Sequence, residues 1–423
     1  MNFIHVLYNN LWRIATPIIK LYLRHRAKKN QLYLQNWNER FGDKFENAQQ
    51  NVIWIHAVSV GETKAAYPII QELQKRHPEI PILITQMTPT GRKTAQDIFP
   101  NIQCRYLPYD NPKYVKHFLD DHKPIIAIFM ETEIWVNYIA ECKKQNIPTI
   151  LANARLSKKS LNGYLKFSNL FKPTFSSLSQ ILAQSVNDKH NFQQLSKNNI
   201  SVLGNTKYDI NIEQKSFDLA KKFKLKIGNR PIFVCASTRE KDNIKEEKLL
   251  LDAWQKEKMH QTNALLIIIP RHPERFETIF KLAKEMGFLT QKRSDDENIN
   301  PNTQVLIGDS MGELFAYYLC ADMAFVGGSL VDTGCQNLIE PIACEIPTSF
   351  GFSTYNFQQA SNDALTSQVA TQVQNADEWA KLCRQYLENP DLGKNAKKLC
   401  QSFIQKHQGA SIKTAQYIEN IIT

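Results

Sequence analysis

The acid Glu62 follows an apolar stretch and a glycine, a pattern that places a carboxylate at the edge of a predicted sheet. Residues 51–60 are rich in β-branched and aromatic side chains, which predicts a strand covered on both faces. Gly61 permits a sharp turn, and helical spacing begins at Lys64. Ligands of open α/β sheets bind at such strand ends, so Glu62 is a candidate site residue. A carboxylate that only caps the helix would suit the same position.

Two glycine segments in the second half of the chain could bind phosphate. Residues 308–313 lead from a predicted strand into a helix over 314–319, and residues 327–329 lead towards a helix near Gln336. Backbone N–H groups at helix starts favour anions. Arg271 and His272 follow a further predicted strand and add positive charge. Glycines alone mark turns, so the combination predicts a nucleotide site, with His272 as a candidate contact.

Metal and P-loop motifs are absent from the sequence. It contains no GxxxxGK[ST], HExxH or Asp-x-Asp pattern, so we expect no bound metal and no cofactor. Eight cysteines are scattered without a CxxC pair, which predicts reduced thiols, mostly small core residues.

The basic charge of the chain is concentrated at its start. The 423 residues carry a formal charge of +11, and residues 1–30 contain no acid. The basic residues in that segment are Arg13, Lys20, Arg24, Arg26, Lys28 and Lys29. We therefore expect an anionic partner there.

Residues 1–27 predict an amphipathic helix. Charged and polar residues interrupt its apolar stretch, so it does not meet the requirement for a spanning helix, and Pro17 would kink it. One face carries Ile4, Leu7, Tyr8, Leu11, Ile14, Ile18 and Tyr22. This pattern favours a helix that lies in the membrane interface beside anionic headgroups. Packing on the protein's own body is the alternative.

Apolar strands alternate with helices from residue 51 onward, which predicts an α/β protein with parallel sheets. A chain of this length should form two domains. Residues 209–229 are polar and rich in lysine, which predicts a linker between an N-terminal domain (28–208) and a C-terminal domain (230–423). Strands are predicted at 51–60, 82–88, 102–107, 124–130, 149–154, 180–184 and 201–203, then at 231–236, 264–269, 304–307, 323–326 and 346–349. Two helices are predicted in the tail from Asp377.

Eight ordered motifs resemble the 3-deoxy-D-manno-octulosonic acid (Kdo) transferases of lipopolysaccharide synthesis. They are WIHAVSVGE (54–62), METEIW (130–135), NARLS (153–157), GNTKYD (204–209), ASTRE (236–240), PRHPERF (270–276), GDSMGEL (308–314) and QNLIEP (336–341). The resemblance covers most of the chain and implies a GT-B glycosyltransferase, with two Rossmann-like domains facing across a cleft and an N-terminal membrane-associating helix.

The resemblance also implies a reaction. Members of the family transfer Kdo from its cytidine monophosphate (CMP) donor to the lipid A precursor (lipid IVA), at the cytoplasmic face of the inner membrane. They invert the anomeric centre without a bound metal. No nucleic acid is implied as a partner.

Residue roles carry over from the family by position. Glu62 corresponds to the catalytic base, and Glu131 and Lys207 correspond to transition-state stabilisers. Contacts to the nucleotide map to Pro270, Arg271, Met311, Gly312, Glu313, Asn337, Leu338, Ile339 and Glu340. Two positions depart from the family pattern: Cys335 and Gln336 stand where many relatives have Gly-His, and Val136 stands where a proline is common.

Three other residues near these motifs have open roles. His56, inside the first strand, is expected to be a core histidine. Arg155 could bind a substrate carboxylate or cap its strand. Glu131 could be an ordinary buried, paired carboxylate, with Glu133 as its exposed neighbour.

Three other functions remain open alternatives. A GT-B-like nucleotide-sugar epimerase would share the two-domain architecture but would not need a membrane-facing helix. A different membrane-associated glycosyltransferase would share most of the features above. A nonenzymatic basic module is disfavoured because the charge lies at one end and no aromatic RNA-binding signature is present.

Overall fold

A computed structural model describes residues 3–28, 30–43, 45–295 and 298–422. Lys29 and the first two residues of the predicted N-terminal helix lie outside the described residues. The strands are β1 (Ile53–His56), β2 (Ile82–Gln86), β3 (Gln103–Tyr106), β4 (Ile126–Met130), β5 (Thr149–Ala154), β6 (Gln180–Ala183), β7 (Ile200–Val202), β8 (Ile232–Thr238), β9 (Glu240–Lys241), β10 (Ile244–Lys245), β11 (Leu265–Pro270), β12 (Thr290–Lys292), β13 (Val305–Ile307), β14 (Met323–Val326), β15 (Thr348–Phe350) and β16 (Ala370–Gln372).

The helices alternate with these strands along most of the chain. They are α1 (Phe3–Ala27), α2 (Trp37–Arg40), α3 (Val60–Arg76), α4 (Pro89–Ile98), α5 (Pro112–His122), α6 (Val136–Lys144), α7 (Lys158–Lys166), α8 (Ser168–Phe175), α9 (Val186–Phe192), α10 (Gln214–Ile227), α11 (Glu246–Lys256), α12 (Phe276–Glu285), α13 (Leu314–Cys320), α14 (Ile339–Ala343), α15 (Gln358–Thr366), α16 (Ala376–Glu388), α17 (Pro390–His407) and α18 (Ala410–Ile422).

The chain forms two compact units. The first comprises residues 1–209 and 407–423, and the second comprises residues 210–406. The predicted linker, 209–229, is corrected here: its larger part is helix α10, whose Ala220, Phe223 and Ile227 are buried in the second unit. Lysines spaced along the exposed side of this helix make the segment resemble a polar linker. The tail contains three helices instead of two, and α18 packs in the first unit.

The first unit is built on a parallel sheet of order β3-β2-β1-β4-β5-β6-β7. All four residues of β1 are buried, as expected for a central strand covered by helices on both faces. The order of the strands reverses between β1 and β4, which pair in register from Ile53 with Ile126. This reversal is a topological switch point, where open α/β sheets bind ligands.

Strand β1 ends four residues earlier than predicted, because Ser59 begins the following helix. The Ser59 hydroxyl accepts a hydrogen bond from the Glu62 N–H, which makes Ser59 the N-cap of α3. Glu62 therefore lies in the first turn of that helix rather than ahead of it. The other predicted strands of this unit are confirmed, with ends that differ by up to two residues.

The second unit repeats the architecture with the parallel order β12-β13-β11-β8-β14-β15-β16. Strand β8 lies at its centre, between β11 and β14. The five predicted strands are confirmed, whereas β12, β16 and the short β9-β10 hairpin were not predicted. Each of these has only two or three residues, with too little apolar pattern to recognise.

Helix α1 packs one face on the first unit and exposes another. The Tyr8 hydroxyl donates to Asp110 at 2.7 Å, and Trp12 contacts the Tyr109 ring at 6.1 Å between centroids. Tyr8 was predicted on the apolar outer face and is corrected to the packed one. No helix among the described residues is both long and apolar enough to cross a membrane.

Candidate functional sites at the two sheet edges

Glu62 is held at the switch point of the first sheet by its own turn. Its carboxylate accepts hydrogen bonds from the Val58 N–H at 2.8 Å and from the Ser59 hydroxyl at 2.9 Å. These contacts form a reciprocal cap with Ser59. Glu62 thus does cap the helix, and the cap also fixes the orientation of a half-buried carboxylate at the ligand-binding edge.

Glu131 follows β4, the strand next to β1, and is clamped between two cations. Its carboxylate lies 2.7 Å from the Lys207 ammonium and 3.0 Å from Nε of Arg155. The residue is 5% exposed and has a φ of +55°, in the left-handed region that non-glycine residues rarely adopt. A strained backbone at a ligand-binding edge is a feature of functional sites.

The turn that carries Lys207 is tied to both neighbouring elements of the site. The Thr206 N–H donates to the buried Asn153 side chain at 3.1 Å, and the Thr206 hydroxyl donates to the Ala65 carbonyl of α3 at 2.8 Å. Asn205 caps the turn by accepting from the Lys207 N–H. Lys207 is therefore positioned by contacts to the helix of Glu62 and to the NARLS segment.

Glu133 is a half-buried member of this site, which corrects its prediction as an exposed residue. The Trp135 indole donates to its carboxylate at 3.0 Å. Burial raises the pKa of Glu133, and the charge of Glu131 raises it further. Three carboxylates that share one edge resist simultaneous ionisation.

The acid cluster changes the proton affinity of Glu62. Burial raises the pKa of Glu62 to about 7, the charge of Glu133 contributes next, and that of Glu131 contributes less. Hydrogen bonds from Val58 and Ser59 oppose this change. A base with a pKa near the working pH is suited to accepting a proton.

His56 lies in the core, as expected. It is fully buried, its Nδ1 contacts the Thr85 hydroxyl at 2.9 Å, and burial lowers its pKa to about 3. A neutral imidazole in this position supports packing rather than acid–base chemistry.

The predicted nucleotide residues gather at the carboxyl edge of the second sheet. Residues 270–272 end or follow β11, residues 311–313 follow β13, and residues 337–340 follow β14. In the strand order β13-β11-β8-β14, the segments after β11 and β14 flank the end of β8, and the segment after β13 lies one strand further away. The structure thus brings them to one edge, the expected place for a ligand.

The first of these segments presents positive charge to solvent. Pro270 is the buried last residue of β11, whereas Arg271 and His272 are exposed. The Arg271 N–H donates to the Thr238 carbonyl at 3.0 Å, which fixes its backbone to β8. Burial, followed by the positive charge of Arg239, lowers the pKa of His272.

The segment after β13 exposes its methionine and glycine. Met311 is 64% exposed, and Gly312 has a φ of +79°, a conformation that glycine readily adopts. The Glu313 carboxylate accepts a hydrogen bond from the Ser310 hydroxyl and forms an ion pair with Arg293.

The segment after β14 is accessible only at its two ends, Asn337 and Glu340. Leu338 and Ile339 are fully buried, whereas Asn337 and Glu340 are half-buried. Asn337 accepts from the Ile339 N–H at 3.1 Å and donates to the Glu340 carboxylate at 3.1 Å. The helix here, α14, begins three residues later than the predicted start near Gln336.

The two departures from the family pattern fit their surroundings. The Gln336 N–H donates to the Gly327 carbonyl at 3.1 Å, beside the glycine loop, while Cys335 is buried. Val136 is the first residue of α6, a position that suits proline equally well.

Neither a metal cluster nor a disulfide is present among the described residues. No group of three or more His, Cys, Asp and Glu side chains there could hold a metal ion. All eight cysteines are buried and free, as predicted for reduced thiols in the core.

Comparisons with known proteins agree with the motifs. A family model described as 3-deoxy-D-manno-octulosonic-acid transferase (kdotransferase) matches residues 35–210. The 3-deoxy-D-manno-octulosonic acid transferase of Haemophilus influenzae is 36% identical over 359 residues, 83% of this chain and 83% of that protein. The enzyme of the same name from Bordetella pertussis is 30% identical over 427 residues, 98% of each chain.

A solved structure supports the fold. The UDP-GlcNAc 2-epimerase of Neisseria meningitidis, bound to UDP-GlcNAc, matches with a TM-score of 0.56 and 14% identity, covering 88% of this chain and 99% of that one. At this identity the likeness concerns the fold alone, which is the GT-B fold predicted from the sequence.

Proposed function

This chain belongs to the 3-deoxy-D-manno-octulosonic acid transferase family, and we propose that it moves Kdo from CMP-Kdo to the lipid A precursor. Transfer of Kdo in lipopolysaccharide synthesis follows from the family. The donor, the acceptor and the roles of individual residues are our proposal. The main support for this proposal is that Glu62, Glu131 and Lys207 lie together at the switch point of the first sheet.

Glu62 acts as the general base in this proposal. It accepts the proton of an acceptor hydroxyl while the hydroxyl oxygen forms a bond to the anomeric carbon of Kdo. The bond between that carbon and the CMP phosphate breaks, and CMP leaves with the electron pair. A single displacement of this kind inverts the anomeric centre.

Glu131 and Lys207 stabilise the transition state. Departure of the phosphate gives the sugar oxocarbenium character, which a nearby carboxylate favours electrostatically. The clamp of Lys207 and Arg155 holds the Glu131 carboxylate in a fixed position. Neither role requires a metal, and we expect activity to persist in the presence of a chelator.

The second unit holds the CMP moiety in this proposal. Arg271 supplies charge for the phosphate, while His272, Pro270 and backbone groups of residues 311–313 and 337–340 contact the nucleotide. The grouping of these segments at one sheet edge supports the assignment.

We place the protein at the cytoplasmic face of the inner membrane through α1. Its exposed apolar residues, 61–66% accessible, form a ridge along the helix: Leu7, Leu11, Ile14, Ile18 and Leu21. Basic residues follow at Arg24 and Arg26, and such a pattern favours anionic bilayers. The opposite face is occupied by contacts to the protein, so the ridge is free to enter the headgroup region.

The transfer is tested by incubating purified protein with CMP-Kdo, tetraacylated lipid A precursor and a chelator, and measuring the lipid by mass spectrometry. We expect a mass gain of whole Kdo units. Absence of a gain by folded protein that binds CMP would contradict the proposed acceptor.

The membrane role is tested with the triple variant Leu11→Ser, Ile14→Ser, Ile18→Ser. We expect weaker sedimentation with anionic vesicles and lower activity on the lipid acceptor, but unchanged CMP affinity. Leu225→Ser, at an 83% exposed leucine of the second unit, is the matched control. These substitutions are sharper than truncation, which would also remove the contact of Tyr8 with Asp110. If the triple variant bound vesicles as well as the wild-type protein does, the proposed role of the ridge in membrane binding would be wrong.

A further inference from the structure

The carboxyl end of β8 occupies the centre of the second sheet's ligand-binding edge. Strand β8 lies between β11 and β14, so its last residues lie between the two flanking nucleotide segments. The first residue after β8 is Arg239, within the ASTRE motif, and the roles above leave it unused. A cation there would face the middle of the donor site.

The Arg239 guanidinium has no hydrogen-bond or ion-pair partner within the described part of the chain. It forms no ion pair or side-chain hydrogen bond there, and its Nε is buried without an acceptor. Burial lowers the pKa of Arg239 and the positive charge of Arg271 lowers it further, which outweighs the opposing effects of Tyr355 and of the buried Glu246 carboxylate. Two like charges held together, one of them half-buried, are costly without an anion.

The backbone of Arg239 is fixed by a buried carboxylate. Glu246 accepts from the Arg239 N–H at 3.0 Å, and also from the Gly328 and Leu330 N–H groups at 2.7 and 2.8 Å. These bonds join the end of β8 to the loop after β14. Because Glu246 is fully buried beneath this loop, it holds the chain of Arg239 without pairing with the guanidinium.

Two other arginines of the second unit have structural roles, to which Arg239 can be compared. Arg275 forms a bidentate pair with Glu247 at 2.8 and 2.7 Å. Arg230, at the other end of β8, donates to four backbone carbonyls. Arg239 has neither kind of contact, which distinguishes it from arginines that serve the fold.

We infer that Arg239 binds an oxyanion of the donor together with Arg271. This inference rests on the proposed function. CMP-Kdo carries two such groups, the phosphate and the carboxylate of Kdo, and arginine suits both because its N–H groups match their geometry.

The test compares Arg239→Gln and Arg239→Lys with wild type, using CMP titration by calorimetry and the KM for CMP-Kdo. We expect Arg239→Gln to weaken binding by about tenfold to a hundredfold, the effect of one charge-assisted hydrogen bond. Arg239→Lys should recover part of the loss. Arg230→Gln is the matched control, with lower thermal stability and unchanged CMP affinity, and the exposed Lys248→Gln should change neither.

The two anionic groups give different results. Weaker CMP binding by Arg239→Gln identifies the phosphate, while unchanged CMP binding with a raised KM for CMP-Kdo identifies the carboxylate. Unchanged values for both would overturn the inference and leave the proposed function intact. Failure of the wild-type protein to bind CMP would contradict the donor assignment, and with it the role of Arg239.

Discussion

The two sheet edges share one architecture but carry opposite electrostatics. At the edge of the first unit, Glu62, Glu131 and Glu133 lie close enough for their charges to interact, and Glu131 is paired with two cations. At the edge of the second unit, Arg239 and Arg271 interact as like charges, and neither side chain forms an ion pair or a hydrogen bond among the described residues. The first edge supplies proton acceptors, whereas the second presents arginines that the described residues do not pair.

This difference assigns separate tasks to the two units. Glu62, whose pKa is raised to about 7, suits deprotonation of a hydroxyl, and arginines without an ion pair among the described residues suit a phosphate. The GT-B fold provides only the shared scaffold, since function depends on the side chains placed on it. Substitutions at the first edge should therefore reduce turnover, and those at the second should reduce donor affinity.

The largest effect is expected from Glu62→Gln. The amide retains the size of the carboxylate but cannot accept the proton, so kcat should fall by about a hundredfold to ten-thousandfold, the usual contribution of general base catalysis. Steady-state rates with saturating donor and acceptor would measure this. Turnover near the wild-type value by folded protein would remove Glu62 from the role of base.

Glu131→Gln should have the next largest effect. Loss of the charge would weaken stabilisation of the transition state and leave Lys207 and Arg155 without their shared partner, so kcat should fall by about a hundredfold. The KM for CMP-Kdo should change little. A large rise in KM with normal kcat would instead indicate a binding role. Serine substitution at exposed Val186, also in the first unit, provides a neutral comparison.

Arg271→Gln should affect the edge of the second unit and therefore the binding of the donor. Removal of a charge-assisted contact to phosphate should weaken CMP binding by about tenfold to a hundredfold, with a smaller change in kcat at saturating donor. Calorimetric titration with CMP is the measurement. If kcat fell while CMP affinity stayed at the wild-type value, the division of tasks between the two edges would be wrong.

The smallest effect is expected from Glu133→Gln, as a change in pH dependence. Below pH 7, protonated Glu62 cannot act as a base, so kcat/KM should fall on the acidic side with an apparent pKa near the value of about 7 for Glu62. Removing the charge of Glu133 lowers that pKa, and the acidic limb should move to lower pH. If the acidic limb of the pH profile stayed at its wild-type position, the charge of Glu133 would not influence the pKa of Glu62.

Sequence patterns predicted most of the fold because long buried strands have a clear signal. The central strands of both sheets consist of apolar, often β-branched residues, and their order along the chain predicted parallel sheets. Helix α10 was mistaken for a linker since its buried residues are few and its lysines many. The edge strands β12 and β16 are too short to show a period.

The site residues were found by different signals. The resemblance identified Lys207 as a site residue, but the pairing of Lys207 and Arg155 with Glu131 was not predicted, because both are distant from it in sequence. Burial of Glu133 was not predicted, because it lies in the turn after β4, where the alternation of side chains along a strand no longer applies. The isolation of Arg239 could not be predicted, since it depends on which carboxylates pair with Arg275 and with the loop backbone.

A side-by-side study of Glu62→Gln and Arg271→Gln tests the division of tasks most directly, with the single-turnover rate at saturating donor and the CMP affinity measured on the same preparations. The account predicts that Glu62→Gln loses at least about a hundredfold in rate while binding CMP normally, and that Arg271→Gln shows the reverse pattern. A normal single-turnover rate for Glu62→Gln, or equal losses of CMP affinity in both variants, would contradict it.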